Sequence, residues 1–215
     1  MDEIKISLFP IPGSVSLPFS VVPLHIFEPR YRQMITDSVN QKRRIGVAHT
    51  KRVIAQSQLD SDASTEEILN TNQDTYEAWP VFSAGFAKIL ETLPDGRMIV
   101  EIRMDYRYEI IDEVQQLPYK IVRCRPYEDT GEDDILATRE SQALRLKLDE
   151  QLLALQGPSL DQLKKHVQSP AWKGLSTLEY SFAIYSLVQF EPDVMQQVLE
   201  LASASDRIGF LLELL

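Results

Sequence analysis

Between Leu24 and Ile35 the sequence reads LHIFEPRYRQMI. His25, Glu28 and Arg30 are of the types that serve as general base, general acid and anion clamp, chemistry that needs groups of suitable pKa within hydrogen-bond reach. An architectural reading explains more of the stretch. His25 sits in an apolar strand pattern, and Glu28 precedes Pro29 at a helix start, where a negative charge favours the macrodipole. Arg30 is placed to pair locally. The expectation is a structural junction with no catalytic residue in it.

The remaining chemistry-bearing residues are dispersed. The three histidines, His25, His49 and His166, fall in different elements, and none has a second histidine or cysteine at metal-ligand spacing. No glycine is followed by lysine, and neither GxGxxG nor GxSxG occurs, so phosphate-loop and common hydrolase signatures are missing. The one cysteine, Cys124, lies in the strand-like YKIVRCRPY and reads as an ordinary small side chain. We therefore expect no catalytic residue, no metal and no cofactor, and the partner-binding residues are not readable.

Bulk composition narrows the partners. The chain has 215 residues, 44% hydrophobic and 25% charged, with a net charge of −10. A sequence pI near 4.8 makes the average surface repel phosphate backbones and anionic lipid. The basic run QKRR, Gln41–Arg44, with Lys51 and Arg52 after it, is the one place an RNA surface could form. The N-terminal MDEIKISLFPIPGS has acids first and prolines inside its apolar run, unlike a signal peptide. No segment has the uninterrupted apolar length of a membrane span. The expected location is the cytoplasm.

The residues above must be positioned by two rhythms. Residues 1–127 read as short strands around one helix, and residues 128–215 as helices. Strands are expected at IKISLF, VVPLHIF, RIGVAHT, AWPVFSAGFAKILETL, RMIVEIRMDYRYEII and LPYKIVRCRPY, with the proline of the second marking an edge or a strand start. A helix over EPRYRQMITDSVNQ takes Pro29 at its first position and buries Tyr31, Met34, Ile35 and Val39. Ala55–Glu77 reads as an exposed polar loop with a short helical turn at STEEIL. Pro94-Asp95-Gly96 makes a tight hairpin turn. Strands this short must close on one another, and a small twisted barrel solves their edge problem.

The second half is punctuated for helices. A leucine stripe at Leu144, Leu148, Leu152 and Leu155 precedes Gly157, which ends its helix. Capping boxes are expected at Ser159–Gln162 and at Ser176–Glu179, Pro192 opens another helix, and a last one begins near Ser205 with Ile208, Leu211, Leu212 and Leu215 on one side. Gly157-Pro158-Ser159 before the lysines of DQLKK is thus helix punctuation rather than the nucleophile of a serine-lysine pair.

SLFPIPGSVSLPFSVVPLHIFEPRYRQMI resembles the opening of the Lon protease N-terminal domain family, with Leu8, Phe9, Pro10, Pro18, Pro23, Leu24, Ile26, Phe27, Glu28, Pro29, Arg30 and Tyr31 carrying the pattern. AGFAKILETLPDGRMIVEIRMDYRYEI is similar to the family's hairpin, and QQVLELASASDRIGFLLELL to its closing helices. The resemblance implies an α+β fold, a PUA-like small β-barrel with one or two helices followed by an α-helical bundle subdomain. It implies a stand-alone, non-enzymatic binding module for unfolded or extended polypeptide or a protein partner, without the family's ATPase and peptidase domains. RNA binding by the PUA-like barrel is the alternative, and homo-oligomerisation stays open. One departure stands out: Met104 and Asp105 occupy the place where the family usually has a glycine.

Overall fold

The computed structural model describes residues 3–56, 71–130, 135–154, 161–187 and 190–214. Contacts divide the chain into two compact units, Met1–Tyr127 and Glu128–Leu215. The first contains β1 (Ile4–Pro10), β2 (Val21–Ile26), α1 (Pro29–Asn40), β3 (Ile45–Ala48), β4 (Thr50–Ala55), β5 (Thr75–Ala78), β6 (Val81–Thr92), β7 (Met98–Gln115) and β8 (Lys120–Pro126).

Six strands form one sheet in the order β2-β7-β6-β3-β1-β8, and a further β7–β8 pairing closes five of them into a ring. Only β1 and β3 run parallel, with Ser7 opposite Ile45. Closure satisfies the edges that short strands would otherwise expose, so the small barrel expected from the sequence is present. β2 stays outside the ring as the sheet's edge strand, which is where a strand can carry Pro23.

Alternation along the strands sends side chains into two cores. Ile6, Leu8, Ala48, Phe82, Ala84, Tyr108, Val122 and Cys124, drawn from all five ring strands, fill the ring. On the other face Ile26, Val100, Ile102 and Met104 pack with Tyr31, Met34 and Ile35 of α1. Each fully buried aliphatic side chain stabilises by roughly 1.5–3 kcal/mol, which explains why the alternation was visible in the sequence. α1 differs in one position from its expected face. Ser38 is buried, donating to the Ser7 hydroxyl at 2.8 Å, whereas Val39 is exposed. The i, i+3, i+4, i+7 spacing of Tyr31, Met34, Ile35 and Ser38 keeps the helical period, and the buried hydroxyl is tolerated because it has a partner.

The polar stretch Ala55–Glu77 needs correction at its ends. Thr75–Ala78 is strand β5, which pairs antiparallel with β4. Polar side chains hid it, since Arg52 is paired with Glu77 across the two strands. The proposed turn at STEEIL lies outside the described residues. The hairpin turn at Pro94-Asp95-Gly96 forms as read: Gly96 takes a φ of +84°, which glycine adopts without steric cost, and Leu93 accepts from its N–H at 2.9 Å.

The second unit contains α2 (Ile135–Ala154), α3 (Asp161–Val167), α4 (Pro170–Lys173), α5 (Thr177–Ala183), a 3-10 turn at Ile184–Ser186, α6 (Pro192–Glu200) and α7 (Ala204–Leu214). Leu148 and Leu152 are buried as the stripe requires, while Leu155, Gly157 and Ser159 fall outside the described residues. The Ser176 box forms fully, with Glu179 N–H donating to Ser176 Oγ at 3.2 Å and Ser176 N–H to the Glu179 carboxylate at 2.8 Å. α4 went unread because four residues carry no periodicity; Ser169 caps it by accepting from Trp172 N–H at 3.2 Å.

The organiser of this unit is Arg207, which has no exposed surface. Its guanidinium forms a two-pronged pair with Asp129, donates to Leu201 O at 2.9 Å and to Ser181 Oγ at 2.9 Å, and lies 4.0 Å from the centre of the Phe182 ring. Tyr185 Oη adds a bond to the Arg207 carbonyl at 2.6 Å. A buried charge is tolerated only when paired and hydrogen-bonded, and both conditions hold.

Candidate functional site

The His25, Glu28 and Arg30 stretch is brought together with a segment that sequence reasoning did not connect to it. Glu28 stands at the N-cap position of α1 without a side-chain bond to the helix; its carboxylate accepts from Gln73 N–H at 2.9 Å, and Arg30 Nε donates to the same carboxylate at 3.0 Å. The rest of the Arg30 fork donates to Gln73 O, Asp74 O and Thr75 Oγ1 at 3.0, 2.9 and 2.9 Å. The pair is therefore a clamp on the backbone that leads into β5. His25 does not join it: it stands on the exposed side of β2.

Burial drives the Glu28 carboxyl above its ordinary value, against the lowering effect of the Gln73 N–H and Arg30. A raised native pKa means that ionising Glu28 costs stability as pH rises through that value, with the cost absent below the unfolded value. Arg30→Ala removes the partner and moves the pKa further up. We predict that it loses about 2–4 kcal/mol where Glu28 is ionised, and that the loss shrinks as the pH falls and Glu28 takes up a proton. Denaturant unfolding at several pH values checks this; a loss that does not change with pH contradicts it.

The other singled-out groups have structural surroundings. Cys124 lies in the ring core, and burial pushes its thiol up to about 12, so it stays protonated at neutral pH. His166 packs against Trp172 with ring centres 5.0 Å apart. Part of the basic run is paired within the unit: Arg44 pairs with Asp105 at 2.8 Å, and Lys51 and Arg52 share Glu77 at 3.9 and 2.7 Å. A cavity of about 400 Å³ in the second unit is lined by Asp129, Ser141, Ser176, Leu178, Ser203 and Ser205. Its polar groups are already in use, since Asp129 holds Arg207, Ser176 is in the capping box, and Ser203 donates to Asp206 at 2.7 Å.

What remains is an exposed sheet face. β6 and β7 are 12 and 18 residues long, and at about 3.3 Å per residue their paired hairpin runs past the ring and carries β2. The side of β2, β7 and β6 opposite α1 is open. Across it Val21 stands opposite Arg103, and Arg103 opposite Phe86; the next row is Pro23, Glu101 and Lys88. Phe86 and Val21 are each 45% exposed, and Tyr106, further along β7, is 61% exposed. At the corner leading into β2, Phe19 is held at a φ of +65°, a left-handed backbone that costs a bulky residue about 1 kcal/mol or more. Its N–H donates to Met104 O at 3.0 Å.

The departure at Met104-Asp105 shapes this face. Gly85 pairs with Met104 and Ala84 with Tyr106, so Asp105 is the extra residue of a bulge. Bulges re-aim side chains, and here the bulge frees Asp105 to fix Arg44 through Nε contacts of 2.9 and 3.2 Å. Arg44 in turn lies 4.5 Å from the centre of the Phe86 ring. Sequence reasoning missed these residues because both faces of FAKIL and IRMDYRY carry apolar groups, and the bulge breaks the alternation that would tell the faces apart. The unpaired-looking Arg in a strand of apolar residues was the available signal.

Comparison with known proteins agrees with the fold. Residues 5–215 match the family model described as the ATP-dependent protease La (LON) substrate-binding domain. A solved Lon N-terminal domain protein from Xanthomonas campestris superposes with a TM-score of 0.54 at 17% identity, covering 98% of both chains. The N-terminal domain of Lon protease from the Mycobacterium avium complex gives 0.63 at 13% identity, covering 98% of this chain and 97% of that one. Among curated proteins, none matches in sequence. Among the described residues no helix is long and apolar enough to cross a membrane.

Proposed function

The chain belongs to the Lon substrate-binding domain family, and from that premise we propose that it is a non-catalytic module of the cytoplasm that binds unfolded or extended polypeptide, or an exposed segment of a protein partner. The observation that carries this reading is the exposed face of β2, β7 and β6, where Val21, Phe86 and Tyr106 present apolar and aromatic area to solvent. Aromatic and arginine side chains in a common patch are the usual energetic centres of protein interfaces. The groups with catalytic potential in the first unit support it too, since Glu28 and Arg30 are occupied with each other and with backbone.

An array of short unstructured peptides incubated with the purified chain tests the reading. Peptides rich in aromatic and branched apolar residues are expected to retain it over controls of the same charge but polar composition. Equal retention on both sets, or none on either, counts against polypeptide binding.

A further inference from the structure

Building on the polypeptide-binding reading, we propose that Arg103 is the specificity centre of this face, and that it takes an internal extended segment carrying an Asp or Glu between apolar or aromatic side chains. The first observation concerns the mode of binding. Met104 N–H donates to Ser20 O at 2.9 Å, which fixes the phase of the β2–β7 ladder. Hydrogen-bonding alternates along an antiparallel pair, so Val22, Leu24 and Ile26 bond to β7 and Val21, Pro23 and His25 turn their backbone groups to the open edge. Pro23 has no N–H to offer there. An added strand would lose its middle donor, as edges that resist pairing do. Recognition passes to the side chains.

The second observation is charge. Arg103 is exposed and lies in the row between Val21 and Phe86, residues directly opposite one another having Cβ atoms about 5 Å apart. Among the described residues it makes no ion pair. The adjoining row holds both Glu101 and Lys88, which offset each other in sign, and Arg44 is committed to Asp105. The guanidinium of Arg103 is thus the uncompensated charge in an apolar row, and its fork geometry fits a carboxylate in a two-pronged bond.

The third observation is order. Arg44 stacks on Phe86 and is itself locked by Asp105, so Phe86 is held in place before any partner arrives. The face is also open across the strands, since β2 is the sheet's edge and β6 pairs with β3 at Ser83 to Gly85, short of Phe86. A chain can enter and leave it. That favours a side-chain carboxylate within a segment over a terminal one.

Fluorescence polarisation with labelled peptides of the pattern aromatic-Asp-aromatic tests this on the full chain, alongside the Asp→Asn peptide, the Asp→Lys peptide and a peptide with the acid only at its C-terminus. The Asp peptide is expected to bind about tenfold more tightly than the Asn peptide. Arg103→Glu is expected to erase that preference and to favour the Lys peptide, with an unchanged melting temperature because the side chain is exposed. Phe86→Ala should weaken all the peptides together. Equal binding of Asp and Asn peptides, or an Arg103→Glu chain that still prefers Asp, overturns the proposal while leaving polypeptide binding intact. Preference for the terminal acid overturns it as well. If no peptide binds, the underlying reading falls with it, and self-association abolished by Arg103→Glu would assign the face to a second copy instead.

Discussion

Arg207→Ala is expected to lower the stability of the Glu128–Leu215 unit by about 3–5 kcal/mol, the cost of leaving a buried charge without its partner. Asp129 would lose both prongs of its guanidinium partner, and Leu201 O and Ser181 Oγ would lose their donor. Asp129→Ala should cost a similar amount, stranding the guanidinium. The double change Arg207→Met with Asp129→Leu should recover much of the loss, because well-packed apolar groups often replace a buried pair without penalty. Each unit contains one tryptophan, Trp79 in the first and Trp172 in the second. Single-tryptophan versions followed by fluorescence during denaturant unfolding assign the loss. A midpoint for Trp172 that does not move contradicts the role given to Arg207.

Gly85→Ala has the second-largest expected effect. A Cβ at Gly85 would sit 1.7 Å from Arg103 O and 2.6 Å from its carbonyl carbon. No real side-chain carbon approaches backbone that closely, and backbone cannot rotate away as a side-chain tip can. The β6–β7 pairing must separate at the bulge, at a cost of about 3 kcal/mol or more. The same shift moves Arg103, so the variant should also lose the peptide preference expected of the exposed face. Thermal unfolding within a degree or two of the unchanged chain would show that the two strands can part cheaply there, contrary to the close approach.

The legible and illegible parts of this molecule separate on a physical line. Alternation and punctuation are local, and they were readable: Pro23 on an edge strand, Pro29 opening α1, the turn at Gly96 and the box at Ser176 each follow from one residue's backbone chemistry. The ring closure was readable as a requirement, since short strands must satisfy their edges. The Glu28–Arg30 clamp was readable only by half. Its local pair was anticipated, but its contacts with residues 73–75 lie more than forty positions away in sequence, and nothing local encodes them. β5 was misassigned to a loop for the same reason, because polar side chains on a small outlying sheet carry no apolar alternation. The candidate face left a single trace in the sequence, the arginine among the apolar residues of β7. It depends on which of two apolar strand faces α1 covers and on a bulge at Asp105, and both are decided by tertiary packing. The family pattern from Leu8 to Tyr31 located the fold without locating this surface, because Glu28, Arg30 and Tyr31 build the junction that holds β5 and α1, and Pro23, which does stand on the open side, marks only an edge strand.

Extended polypeptide is expected to bind this chain on the open side of β2, β7 and β6. Chemical-shift mapping of the isotopically labelled chain, titrated with the aromatic-Asp-aromatic peptide, tests it most directly. Saturable changes concentrated at Val21, Phe86, Lys88, Arg103 and Tyr106 are expected, with the Glu28 and Arg30 resonances little moved. Saturable changes centred elsewhere, or a spectrum unchanged at high peptide concentration, would contradict it.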